Sequence, residues 1–240
     1  MNVGLIFAGG AGQRMNTKTR PKQFLELNGK PIIIHTIDNF ERHPQIDAVI
    51  VVCLESWIPY MWEILERHRI EKVRWVVPGG ETGQQSIRNG LNALWKDDSV
   101  PRNTFVLIHD GVRPLIHEEL ISRNIACAEQ YGNAITVTAA SETIINVTGD
   151  EVSDILDRSK CRMARAPQTF RLSDIMEAHR KAERDGEQNM IDSAMLMSHY
   201  GVPLHIVEGP VENIKITTPS DFYIFRAIFE ARENSQIWGI

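Results

Sequence analysis

The chain has 240 residues, 42% of them hydrophobic and 24% charged, a balance that excludes disorder, collagen-like repeats and a disulfide scaffold and suits one α/β domain over residues 1–240. A formal net charge of −5 argues against a protein whose main business is the nucleic-acid backbone. Three cysteines, Cys53, Cys127 and Cys161, give neither an even disulfide set nor a metal-type spacing, as expected of a reducing cytoplasmic compartment.

Taken in chain order, Val3–Ala8 is a short apolar run ending in Gly9-Gly10, the pattern of a buried parallel strand feeding a glycine-rich loop. It is too short for a signal peptide or a membrane span, so no membrane contact is expected. Ile32–Phe40 reads as helical, Ala48–Leu54 as a second strand rich in β-branched residues, and Trp57–His68 again as helix. Val73–Val77 is a third strand before Pro78-Gly79-Gly80, Gln84–Trp95 places Ile87, Leu91 and Leu94 on one helical face, and Phe105–Ile108 is a fourth strand. This alternation predicts right-handed crossovers and a mostly parallel, Rossmann-like sheet flanked by helices. Ligands of such sheets lie beyond the carboxyl ends of the strands. The glycine loop, Pro78-Gly79-Gly80 and His109-Asp110 all fall there, so one crevice is expected to collect them.

The second half predicts a helix over Glu118–Gln130 and a strand over Ala134–Thr138. Glu142–Val147 and Glu151–Leu156, joined by Thr148-Gly149-Asp150, read as a β-hairpin arm at about residues 140–160. Such an arm suits a partner subunit, and a plain surface hairpin accounts for it equally well. Helices follow over Leu172–Arg184 and Ile191–His199, then a strand over Leu204–Val207. A last helix opens with Thr218 as cap, Pro219 at the first position and Asp221 at the third.

Chemistry concentrates in Ala8-Gly9-Gly10-Ala11-Gly12-Gln13-Arg14-Met15, followed by Arg20-Pro21-Lys22-Gln23. Small residues let backbone N–H groups approach a ligand while Arg14 and Lys22 add positive charge, which suits a polyphosphate. The loop lacks the terminal Gly-Lys-Ser/Thr of a P-loop and, at Met15, the third glycine of a dinucleotide fingerprint. A tight turn with two solvated basic residues remains the plain alternative. A non-catalytic dinucleotide-binding module would need an acid about 20 positions beyond the loop, and Glu55, at the end of the second strand, lies much further on.

The run from Ala8 through Lys22-Gln23-Phe24-Leu25 resembles the opening signature of the CTP-dependent sugar-phosphate cytidylyltransferases. Gly79-Gly80 with Ser86, His109-Asp110-Gly111-Val112-Arg113-Pro114, Pro167-Gln168 and Asn213-Ile214-Lys215 follow in the family's order, so the resemblance spans nearly the whole chain. It implies that Arg14, Lys22 and Lys215 surround the triphosphate of CTP and stabilise the charge that develops on it. It further implies that Ala8, Gly9, Gly10 and Gly12 line the nucleotide and that Gly80, Glu81 and Ser86 read cytosine and ribose. Asp110 and Arg113 would face the second substrate, with Asp110 also near the nucleotide and the one candidate contact for magnesium (Mg2+). Thr143 and Arg158 match positions that serve the sugar phosphate, often across a homodimer. Wording such as Ile214-Lys215-Ile216-Thr217-Thr218 leans toward ribitol 5-phosphate as acceptor, with 2-C-methyl-D-erythritol 4-phosphate as the alternative. Two positions depart from the pattern: Gly83 stands where many erythritol-phosphate enzymes carry Arg, and Ala166 where relatives commonly have Thr. His109, beside a strand end, reads as a packed or capping residue with no proton-transfer work.

Overall fold

The computed structural model describes residues 1–9, 20–188 and 190–238, with side chains through 234. Seven strands form the main sheet. β1 (Asn2–Ala8), β4 (Ala48–Cys53), β5 (Val73–Pro78) and β6 (Phe105–Asp110) make its parallel core, with β1 between β4 and β6 and β5 outside β4. All six residues of β4 are buried, as a strand covered on both faces must be, which is why these strands read as continuous apolar runs. The crossovers are α1 (Ile32–Glu41), α2 (Ile58–Arg67) and α3 (Gly83–Lys96). Side chains alternate along β1: Ile6 joins the cluster holding Ile33, Ile37 and Met61, while Val3 and Leu5 join that holding Leu91 and Leu94 of α3.

The sheet continues through α4 (Glu118–Tyr131) and β7 (Asn133–Ala139), with β11 (Ile206–Glu208) parallel to β7 at the edge. Between β6 and β7 runs β10 (Arg162–Arg171), antiparallel to both. The sequence reading gave no strand there, because Pro167 interrupts the segment and a proline argues against a central strand. The ladder takes up Pro167 in a register shift between Ala164 and Gln168. The hairpin arm is present as β8 (Ile145–Thr148) and β9 (Glu151–Ile155), a separate two-stranded sheet that is exposed along its length. A second small hairpin, β2 (Glu26–Leu27) and β3 (Lys30–Pro31), also escaped the reading.

Helix α5 (Leu172–Asp185) and α6 (Ser193–His199) cover the α3 face, and α7 (Pro219–Trp238) packs Phe225 against Ile32, Leu115 and Ile216. The expected start of α7 is made: Asp221 accepts hydrogen bonds from the Thr217 and Thr218 backbone N–H groups at 2.8 Å, and Thr218 Oγ1 accepts from Asp221 N. α6 begins two residues later than expected because Asp192 is its cap, accepting from Met195 N at 2.8 Å.

α3 matters most for the site, since its first turn follows directly on Gly80. It lies close to the sheet through Gly90, where a Cβ would stand 2.8 Å from Val52 Cγ2 and 2.9 Å from Leu5 Cδ1. Gly90→Leu therefore overpacks a buried seam. The clash, about 1–3 kcal/mol for added core volume, exceeds the gain of about 1 kcal/mol from removing a helix glycine. The urea midpoint should fall; an unchanged or higher midpoint would show that α3 can lift from the sheet without loss.

Candidate active site

The carboxyl ends of β1, β5 and β6 open on one crevice, as the strand pattern predicts. Its floor is Gly9, where an added Cβ would meet Ser86 Oγ at 2.8 Å, so only glycine lets the end of β1 approach α3 this closely. Ser86 is buried; its hydroxyl accepts from Gly80 N at 3.0 Å and donates to Thr82 O at 2.9 Å. Thr82 caps α3, accepting from Gln85 N at 3.1 Å, and Gln85 Oε1 in turn accepts from Glu81 N at 2.8 Å. The Gly80–Thr82 turn is thereby held rigidly at the N-terminus of a 14-residue helix, whose dipole favours an anion.

Lys22 reaches this crevice from a 3-10 turn, Lys22–Phe24, anchored on either side of its purpose. Gln23 is buried and donates through Nε2 to Ala8 O at 2.8 Å, tying the turn to the end of β1. Phe24 is fully buried and stacks on Trp57 with ring centroids 4.8 Å apart. Neither Gln23 nor Phe24 was singled out for a role from sequence, although both sit in the quoted run.

Opposite lies a buried ionic cluster. Asp110 is 6% exposed; its Oδ1 meets Lys215 Nζ at 2.6 Å and its Oδ2 meets Arg113 Nε at 2.7 Å. Arg113 Nη1 donates to Asn213 O at 2.7 Å, and Asn213 Nδ2 donates to Ala166 O at 2.6 Å. Burial by itself would raise the Asp110 pKa, but the charges of Lys215 and Arg113, with their hydrogen bonds, lower it to about 2. Asp110 is therefore ionised at neutral pH. His109, fully buried, has its pKa lowered to about 4 chiefly by burial; its Nε2 donates to Arg113 O at 3.1 Å. It is a packed residue, as expected.

Two cavities meet at this cluster. One, of about 230 Å³, is lined by Ala8, Gly9, Lys22, Gly80, Glu81, Ser86, Asp110 and Lys215, which brings together most of the residues expected to hold the nucleotide. The other, of about 260 Å³, is lined by Arg113, Arg165, Gln168 and Asp192 among others, and the two share Phe7, Gly83, Asp110 and Lys215. Gly10, Gly12 and Arg14 lie outside the described residues. Thr143 and Arg158 are exposed beside the arm, with Arg158 Nη1 donating to Ser141 O at 2.8 Å; within one chain they line neither cavity. Arg113, expected to face the second substrate, has Nε and Nη1 engaged by Asp110 and Asn213.

Residues 3–231 match the family model described as IspD: 2-C-methyl-D-erythritol 4-phosphate cytidylyltransferase. The chain is 54% identical, over a 244-residue alignment covering all of both chains, to ribitol-5-phosphate cytidylyltransferase of Streptococcus agalactiae serotype III (strain NEM316). It is 40% identical over 225 residues to 2-C-methyl-D-erythritol 4-phosphate cytidylyltransferase of Clostridium acetobutylicum, covering 93% of this chain and 95% of that one. Among solved structures, 4-diphosphocytidyl-2C-methyl-D-erythritol synthase of Anaerococcus prevotii DSM 20548 superimposes with a TM-score of 0.81 at 27% identity, over 95% of this chain and 96% of that chain.

The shifted groups define an acid profile. His109 is held neutral in the fold, so the unfolded chain binds the extra proton and stability falls as pH drops from the ordinary 6.5 to about 4. Asp110 is held ionised, so its contribution is complete above 3.8 and is lost as pH falls through about 2. His109→Gln keeps a donor near the Arg113 carbonyl and should flatten the slope of urea stability between pH 6.5 and 4. His179, also buried and lowered to about 4, leaves a residual slope; a profile identical to the parent's would show that His109 does not supply it.

Proposed function

We propose that this chain, which belongs to the IspD family of cytidylyltransferases, transfers CMP from CTP to D-ribitol 5-phosphate, forming CDP-ribitol and releasing pyrophosphate. The observation that carries this reading is the pair of adjoining cavities with Asp110 and Lys215 common to both. CTP takes the cavity between Gly9, Lys22 and the Gly80–Ser86 segment, and the acceptor takes the one walled by Arg113 and Arg165. A phosphate oxygen of the acceptor attacks the α-phosphorus, forming the new P–O bond, while the bond from that phosphorus to the pyrophosphate oxygen breaks. The acceptor phosphate is largely dianionic at neutral pH, with a second pKa of about 6, so no protein base is required. Lys22 and Lys215 supply preplaced positive charge where negative charge accumulates, and Arg14 is assigned the same role.

Magnesium is proposed as the cofactor. Asp110, ionised and at the cavity junction, is the residue fitted to meet it directly or through water. Among the described residues no group of three His, Cys, Asp or Glu side chains forms a closed site. That suits an ion bound by one or two carboxylates, with phosphates and waters completing its shell. When bound, it would neutralise triphosphate charge.

The acceptor follows from the 54% identical ribitol-5-phosphate relative, against 40% for the relative named for methylerythritol phosphate. Pyrophosphate release with CTP and a panel of alditol phosphates tests it. Ribitol 5-phosphate should give the highest kcat/KM, and CTP should exceed ATP and GTP. A higher kcat/KM with 2-C-methyl-D-erythritol 4-phosphate would reassign the acceptor, and equal turnover with ATP would sink the nucleotide reading.

A homodimer is proposed from the arm. Ile145, Val147, Val152 and Ile155 are 46–64% exposed, and Ile145 pairs with Ile155 and Val147 with Val152 across the hairpin. A two-stranded hairpin is marginal alone and its apolar face calls for cover. The partner subunit's Arg158 and the partner subunit's Thr143 would then reach the acceptor cavity. Arg158→Ala should raise KM for ribitol 5-phosphate far more than KM for CTP, whereas Lys22→Ala should lower kcat by about 10²-fold, as when one preorganised transition-state donor is lost. Mixing the two variants under subunit exchange should restore activity through one intact composite site. A chain that stays monomeric at working concentration contradicts the arrangement, as does failure of exchanged heterodimers to recover.

A further inference from the structure

Arg165 is a half-buried cation in the wall of the acceptor cavity, and among the described residues no counter-ion pairs with it. Its Nε donates to Thr138 Oγ1 at 3.4 Å, and among the described residues no carboxylate forms an ion pair with it. The remaining residues, 10–19, 189 and 235–240, contain no Asp or Glu. Neighbouring arginines are treated differently: Arg113 pairs with Asp110, and Arg162 with Glu208 at 2.8 Å. Of the two carboxylates that line the cavity, Asp110 is held by Arg113 and Lys215, and Asp192 accepts from Gln168 Nε2 through Oδ2 and caps α6 through Oδ1. Burial first, and then the positive charge of Arg113, pull the Arg165 pKa below the usual arginine value. A guanidinium nonetheless stays charged in proteins, so Arg165 adds a third cation to a cavity in which Arg113 and Lys215 already share Asp110.

The backbone is arranged to hold Arg165 there. It falls within the register shift of β10 between Ala164 and Gln168, and such irregularities re-aim side chains beside functional sites. Its flanking residues, Ala164 and Ala166, also line the cavity and leave it open. Arg113 has two of its nitrogens engaged, whereas the guanidinium of Arg165 presents most of its donors for a planar, two-point hold on an anion.

We propose that Arg165 binds the phosphate of the acceptor from within the same chain, and so sets the demand for a phosphorylated polyol. The assignment rests on the cytidylyltransferase reading for its substrate, but the anion site itself can be read without turnover. In the pyrophosphate assay, Arg165→Gln should raise KM for ribitol 5-phosphate by about tenfold or more, the scale of a lost charged hydrogen bond, and leave KM for CTP nearly unchanged. Arg165→Lys should fall between. In metal-free buffer with saturating CTP and no acceptor, inorganic phosphate should raise the Tm of the parent enzyme and fail to raise that of Arg165→Gln. Without phosphate, Arg165→Gln should melt no lower than the parent, because no ion pair is lost; a purely structural arginine would lower it. The proposal is overturned if KM for the acceptor is unchanged, if both KM values rise alike, or if phosphate stabilises parent and variant equally. Absence of turnover by the parent with any polyol phosphate would instead sink the functional reading, while loss of phosphate stabilisation in the variant would still support the anion site.

Discussion

The buried carboxylate of Asp110, clamped between Arg113 and Lys215, is the interaction on which the site depends. A lone carboxylate at this depth would take up a proton, but two cations within 2.7 Å keep it ionised. The cluster joins segments that the sequence keeps about a hundred residues apart. Arg113 reaches back to Asn213, Asn213 reaches to Ala166, and Ile216 N donates to Val112 O at 2.9 Å. Removing one partner of such a group leaves an uncompensated buried charge, at about 3–5 kcal/mol. Lys215 keeps 42% of its side chain exposed, so the same residue that neutralises Asp110 also presents charge to both cavities.

On the other side of the crevice the control is steric and local. Gly9 and Gly79 approach Ser86 so closely that the ends of β1 and β5 are fixed against the first turn of α3. Ser86 and Gln85 accept from the Gly80 and Glu81 N–H groups, shaping the turn before any ligand arrives. The two walls of the crevice thus draw on different physics: a hydrogen-bonded backbone turn on one, and cationic side chains around an ionised carboxylate on the other.

The arm and β10 show how an α/β sheet of this kind is modified. β10 enters antiparallel between β6 and β7, so the sheet carries Arg165 and Gln168, which line the second cavity, on a strand that runs against its neighbours. The arm leaves just before that strand, carrying an apolar face that the main sheet does not use. Arg158 and Arg165 therefore belong to one stretch of chain and point to different places: the base of the arm and the inner wall of the cavity.

The parallel core was legible in the sequence because β1, β4 and β6 are largely buried and read as apolar runs, while the edge strand β5 still shows itself through Val73, Trp75, Val76 and Val77. The crevice followed from their carboxyl ends, and Lys22, Ser86, Asp110 and Lys215 do converge there. The Asn28-Gly29 turn between β2 and β3, with positive φ at both residues, is likewise a hairpin signal carried by the sequence. β10 was not legible: Pro167 and the alternating Arg162, Ala164 and Ala166 look like a loop until the flanking strands supply the ladder. Nor could spacing show that Arg113 is tied to Asn213 and turned toward Asp110 while Arg165 has no carboxylate partner among the described residues. Periodicity and strand ends are local properties that one stretch of chain fixes for itself. Which charges are paired, and which are left for a ligand, is decided by contacts between segments far apart in the chain, and only the folded sheet brings those into range.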